Sequence, residues 1–208
     1  MLSHLPAFLL ACLLIAASPG PGTVLIIRNS LRDRRAGFLT VLGNESGVFI
    51  WGLAAAFGLT ALLDASEAAY DVLRLGGAVV LVIFGIQTLR AARRGSGASL
   101  AAERPDAEPG SRAHYYRTGL LLNLANPKAG IFAMAFLPQF VPAGAPHLPT
   151  MVLLAAIWAV FEVGYYATYV WGVDRMRTLL ARPTVRRRLE QVSGVVLIGL
   201  AVRLATDG

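Results

Sequence analysis

Six apolar stretches set the pattern of the chain, at residues 5–27, 38–62, 72–90, 118–141, 148–171 and 189–206. Short charged or turn-forming segments separate them. A helix needs about 20 apolar residues to cross roughly 30 Å of hydrocarbon, and the six stretches meet or approach that length, the last being the shortest. The pattern predicts an all-α polytopic membrane protein with six transmembrane helices. Two of the stretches carry breakers. Ser18-Pro19-Gly20-Pro21-Gly22 interrupts the first, and Asn123-Leu124-Ala125-Asn126-Pro127-Lys128 interrupts the fourth. Proline has no backbone N–H and clashes with the preceding turn, while glycine adds backbone freedom. Spans one and four are therefore expected to be broken helices. Irregular backbone at membrane depth is tolerated where it is buried in protein or lines a wet cavity, and a pair of such breaks points to a transport site.

The connections between the stretches alternate in charge. The first holds Arg28, Arg32, Arg34 and Arg35 against Asp33. The third holds Arg90, Arg93, Arg94, Arg104, Arg112 and Arg117, and the fifth holds Arg175, Arg177, Arg182, Arg186, Arg187 and Arg188. The second carries Asp64, Glu67 and Asp71 before Arg74, and the fourth, 141–148, has no formal charge. The positive-inside rule places the odd connections in the cytoplasm and both termini outside.

Residues 91–117 are rich in small residues, proline and mixed charge, and read as a flexible cytoplasmic linker. The linker divides a single membrane domain, 1–208, into three-helix halves at 1–90 and 118–208. Three spans is an odd number, so the halves have opposite topology, a 3+3 inverted arrangement. Each half opens on a broken span and closes on a glycine-bearing one, with 77–85 resembling 194–199. Gly43 and Gly47, and Gly76 with Val80, have the spacing of small residues that let helices approach closely; lining a pore is the other use of such positions.

Composition agrees with the membrane reading. The chain is 56% hydrophobic and 15% charged, with a mean hydropathy of +0.60, too apolar for an ordinary soluble domain. Its net charge of +7 sits in the connections rather than on a basic face, which argues against nucleic acid as a partner. Cys12 is the one cysteine, so no intrachain disulfide or redox pair is possible, and it is expected to pack as a small apolar residue. Ala16-Ala17-Ser18 resembles a leader cleavage site, but the first residues lack a positive region and the apolar run resumes at Thr23, so a retained span is expected. No phosphate-binding loop, zinc-protease motif or nucleophile elbow is present, and His4, His114 and His147 are scattered; neither an enzyme nor a cofactor is implied.

Ionisable groups inside spans are function candidates by default. Glu45 follows Asn44 in span two, Glu162 lies in span five, and Lys128, the one lysine of the chain, sits in the second break. Counted from the predicted span ends at helical rise, Pro21, Glu45, Asn126 and Glu162 fall in one layer, about 10 Å from the cytoplasmic side. Such a layer suits a zwitterion. Free N–H groups at a break attract a carboxylate, and a glutamate or freed carbonyls hold an ammonium. Glu45 or Glu162 is also a candidate carrier of a coupling proton. Lys128 pairing with either glutamate, or reaching for the inner surface, is the structural alternative. Trp171, Tyr115, Tyr116 and Tyr70 read as interfacial anchors; Trp51, Trp158, Tyr165 and Tyr166 lie deeper and read as packing residues before substrate contacts.

The Pro-Gly-Pro of 18–22, the Asn-Pro-Lys of 123–129, the stretch from Leu73 to Arg90 and Phe136-Leu137-Pro138-Gln139-Phe140 together resemble the LysE/RhtB-type amino-acid exporters, in order and over essentially the whole chain. The resemblance implies a bacterial inner-membrane secondary exporter of amino acids or their derivatives, driven by the proton gradient. The broken spans and the polar residues at membrane depth give the expected translocation site: Ser18, Pro19, Gly20, Pro21, Gly22, Asn44, Glu45, Asn123, Asn126, Pro127, Lys128 and Glu162. Members of that family handle basic residues, homoserine and its lactone, threonine or branched residues, so the substrate does not carry over. Ala78-Val79-Val80 stands where many members have an aromatic. A homodimer in the bilayer is compatible with the small size. Two other readings stand beside this one: a metal-cation exporter of the wider superfamily, for which two carboxylates are a thin ligand set, and a non-transporting membrane assembly subunit.

Overall fold

In the first break Pro21 occupies the opening position of a helix, where a missing N–H costs nothing. The chain accordingly forms α1 over Leu5–Ala16 and α2 over Pro21–Arg32, which meet at 69°. These elements come from a computed structural model describing residues 5–17, 20–65, 67–94, 110–142 and 144–206. Ser18, Pro19 and most of the expected linker lie outside the described residues, as do the side chains of Pro127 and Lys128.

Extended Asp33 ends α2, and its carboxylate accepts from the Ala36 N–H at 3.3 Å to start α3, Arg34–Ala65. α4 spans Glu67–Arg94. Ser111 caps α5, Arg112–Leu124, by accepting from the His114 N–H at 3.2 Å. The second break separates α5 from α6, Pro127–Phe136, which runs into a 3-10 turn at Leu137–Phe140. α7 covers His147–Trp171, α8 Val173–Ala181 and α9 Pro183–Thr206. Among the described residues all regular structure is helical.

Both breaks thus fall where proline and glycine place them. α2, α3, α4, α5 and α9 run past the apolar limits into the charged segments beside them, whereas α7 ends at Trp171 as the pattern has it. α8 was not expected from the sequence. It lies in the arginine-rich fifth connection and is amphipathic, burying Val173 and Leu180 while Arg175 and Arg182 stay at the surface. By length and hydropathy α3 and α7 each suffice to span a membrane alone, and α1 with α2 does so as a bent pair.

α3 is the central helix, packed on α2, α5, α6 and α7, while α4 and α9 form the other extensive pair. One apolar core gathers Phe8, Cys12, Phe132, Phe136, Met151 and Trp158; a second gathers Ile26, Ile27, Val41, Tyr166, Tyr169 and Leu180. Glycines set the close approaches. A side chain at Gly43 would collide with the Tyr116 carbonyl, and one at Gly119 with the Thr40 carbonyl, so α3 and α5 touch backbone to backbone. Gly47 abuts the Asn123 side chain, where a Cβ would stand 2.7 Å away. A Cβ at Gly76, by contrast, would meet none of the described residues within 4 Å. Ala78 is buried in the first core.

Candidate translocation site

The first turn of α2 points N–H groups out of the helix. Gly20, its N-cap, is extended and supplies no side-chain cap, and the first intrahelical bond runs from Val24 to the Gly20 carbonyl at 3.1 Å. The N–H groups ahead of Val24 therefore have no partner within the helix. Tyr166, on α7, spans the break: its hydroxyl lies 3.4 Å from the Ala16 carbonyl at the end of α1 and 3.5 Å from the Thr23 hydroxyl in α2.

At the second break Ala125 leaves α5, Asn126 bonds back to the Asn123 carbonyl at 2.9 Å, and α6 starts on Pro127. The Asn123 carbonyl also accepts the Trp51 indole N–H at 3.4 Å. The side chain of Asn123 donates to Asn44 Oδ1 at 3.4 Å, and its own Oδ1 is buried with no hydrogen-bond partner among the described residues.

The two breaks open onto one cavity of about 250 Å³. Gly20, Pro21, Gly22 and Thr23 line it from the first, and Asn123, Asn126 and Ala129 from the second. α3 contributes Asn44 and Val48, and α7 contributes Trp158, Glu162 and Tyr166. The Trp158 indole donates to Glu162 Oε1 at 2.7 Å, and Glu162 is 4% exposed. Ile15, Leu122 and Phe132 complete an apolar wall.

Glu45 stands one step behind this cavity. It is 2% exposed, and its Oε1 accepts from the Asn44 amide at 2.8 Å. Its carboxyl faces that of Glu162 across the α3–α7 contact. On its other side it borders an outward-facing apolar groove formed with Phe49, Ile50, Val160 and Val163.

The sequence-derived positions Gly20, Pro21, Gly22, Asn44, Asn123, Asn126 and Glu162 thus share one cavity, with Glu45 adjoining it. Pro127 begins α6 beside it, and Lys128 lies in the first turn of that helix. Whether Lys128 pairs with a glutamate falls outside the described residues, as do Ser18 and Pro19. Sequence reasoning gave Trp158 and Tyr166 to packing, yet both line the cavity. They stand four residues before and after Glu162, and that spacing on one helix face was the available signal.

A family model described as "LysE type translocator" matches residues 13–208. The chain is 25% identical to the uncharacterized membrane protein YrhP of Bacillus subtilis, over 94% of this chain and 97% of the relative. It is 28% identical to an uncharacterized membrane protein of Vibrio cholerae, over 96% of this chain and 95% of the relative. It is 26% identical to a homoserine/homoserine lactone efflux protein of Salmonella typhimurium, with the same coverage of 96% and 95%. No solved structure matches.

Proposed function

The chain belongs to the LysE type translocator family, and on that premise we propose that it exports amino acids or amino-acid derivatives across the bacterial inner membrane by proton-coupled alternating access. The observation that carries this reading is the pairing of opposite polarities in one small cavity. The uncapped start of α2 offers N–H groups and a positive dipole end to a carboxylate. Glu162 and the Oδ1 of Asn123, which has no hydrogen-bond partner among the described residues, offer acceptors to an ammonium. A zwitterion needs both.

Coupling rests on Glu45 and Glu162. A substrate ammonium beside Glu162 and a proton on the carboxyl pair compete for the same negative charge, which is the requirement for antiport. The path is a 3+3 inverted bundle of six spans with both termini outside, read from the arginine pattern. The direct packing of α3 on α7 and of α4 on α9 supports it, because a two-fold axis relating the halves brings equivalent helices together. A second copy in a homodimer would dock on the exposed apolar face of α3 and α7, which carries Ile50, Phe57, Leu153 and Val160.

The test is uptake of a mixed amino-acid panel into inside-out vesicles, with and without an imposed proton gradient. Gradient-dependent uptake of a subset is expected. No uptake by folded protein, together with metal sensitivity in cells lacking it, would favour a metal-cation exporter. Constant co-purification with a partner and no transport would favour an assembly subunit.

A further inference from the structure

We propose that Tyr166 binds the carboxylate of the cargo, its hydroxyl leaving the Ala16 carbonyl for that carboxylate when the cavity fills. This rests on the exporter reading and adds to it a named contact and a link from the cargo to the first break.

Tyr166 is 7% exposed and lines the cavity beside the first turn of α2. Its present partners hold the hydroxyl weakly. It donates to the Ala16 carbonyl at 3.4 Å, and the Thr23 hydroxyl lies 3.5 Å away, whereas O–H···O bonds cluster at about 2.7–2.8 Å. The hydroxyls of Tyr165 and Tyr169, by comparison, meet at 2.6 Å. A hydrogen bond to an ionised acceptor is roughly twice as strong as one between neutral groups. A carboxylate seated at the start of α2 therefore outcompetes a carbonyl held at that distance.

The position of Glu162 fixes the other end of the cargo. Glu162 and Tyr166 stand four residues apart on one face of α7, about 6 Å along its axis. An α-amino acid carries its ammonium and its carboxylate on a single carbon, and a hydrogen bond of about 3 Å at each end lets it reach across that span. Glu162 takes the ammonium, because its carboxyl contacts that of Glu45 and such a pair repels a third carboxylate. The carboxylate is left with Tyr166 and the free N–H groups of α2.

The exchange acts on the fold as well. α1 packs on α7 and α9, whereas α2 packs chiefly on α3. The bond from Tyr166 ties the end of α1 to α7 where the span bends by 69°. Once the hydroxyl turns to the cargo that tie is gone, and the last turn of α1 loosens.

The experiment takes whichever of tritiated L-threonine, L-leucine, L-lysine and L-arginine binds best to the purified full chain. It is competed with the same unlabelled amino acid and with its α-amide, which keeps the ammonium and lacks the carboxylate. Gel filtration confirms that each protein is folded. In Tyr166→Phe the acid is expected to bind about tenfold more weakly and the amide to stay within about threefold of wild type. Tyr169→Phe, which removes a hydroxyl bonded to Tyr165, is expected to leave both unchanged. Equal losses for acid and amide in Tyr166→Phe, or no loss, would overturn the inference and leave the exporter reading standing. Binding of no amino acid by folded wild type would remove both. If Tyr166→Phe does not fold, hydrogen–deuterium exchange of the wild type decides. Uptake over residues 12–17 is expected to rise with the acid and not with the amide, and uptake that does not distinguish the two would overturn the inference.

Discussion

The side-chain amide of Asn123 donates to that of Asn44 across 3.4 Å, and Asn44 in turn donates to Glu45 at 2.8 Å. One residue of α3 thereby ties the break in the fourth span to a buried carboxyl, while its Oδ1 lies against Gly22 of the first break, 2.9 Å from where a Cβ there would stand. Asn44→Ala removes the donor to Glu45 and the acceptor for Asn123 together. Losing a buried hydrogen-bond partner costs about 1–3 kcal/mol. A lower thermal unfolding midpoint is expected, with counterflow transport reduced at least about tenfold, since a kilocalorie and a half is a tenfold change. Unchanged transport would show that Asn44 only fills space.

Glu45→Gln keeps the shape of the side chain and an acceptor for Asn44 but carries no titratable proton. Gradient-driven uptake is expected to vanish while substrate exchange in the absence of a gradient persists and the amount of protein in the membrane stays the same. Full gradient-driven activity would remove Glu45 from the mechanism. Glu162→Gln, which alters the cavity itself, is expected to lose both activities.

Trp158→Phe retains the ring in the aromatic wall and deletes the indole N–H that holds Glu162 at 2.7 Å. Hydrogen bonds to charged groups contribute about 1.5–3 kcal/mol. Substrate affinity in a binding assay is expected to fall by about tenfold or more, with a lower thermal unfolding midpoint beside it because a buried carboxylate loses its donor. Equal affinity in the variant would mean that Glu162 is held by its burial alone.

Gly43 and Gly76 look alike in sequence and differ in surroundings. Gly43→Val drives a side chain into the Tyr116 carbonyl on α5 and is expected to leave little folded protein in the membrane. Gly76→Ala meets open space and is expected to be stable, gaining up to about 1 kcal/mol from the helical preference of alanine. Fluorescence-detected gel filtration of tagged variants checks both.

The two breaks were legible because proline and glycine act on their own backbone, with no help from the rest of the fold. The apolar lengths likewise placed α3 and α7 within a few residues. The bond from Asn123 to Asn44 was not legible, since it joins residues far apart in the chain through a contact that depends on Gly43 and Gly119 letting α3 and α5 meet. α8 was missed because its arginines masked a short amphipathic turn. Tyr166 was missed for a different reason: an aromatic deep in a span packs by default, and only the opening left between Ala16 and Thr23 gives its hydroxyl somewhere to go. Glu45 was read as part of the cavity, and one residue of register, Asn44 inward and Glu45 behind, separates that reading from the structure.

Gly85 on α4 and Gly194 on α9 face each other so closely that a Cβ on either would stand about 3 Å from the other's carbonyl oxygen. α4 and α9 therefore come close enough there for their backbones to touch, with the Leu89 and Ile198 side chains packed around the crossing. Large residues at either position would push the two helices apart and displace Leu89 and Ile198, so the cost would fall on how α4 docks against α9 and leave the cavity, which neither helix lines among the described residues, untouched.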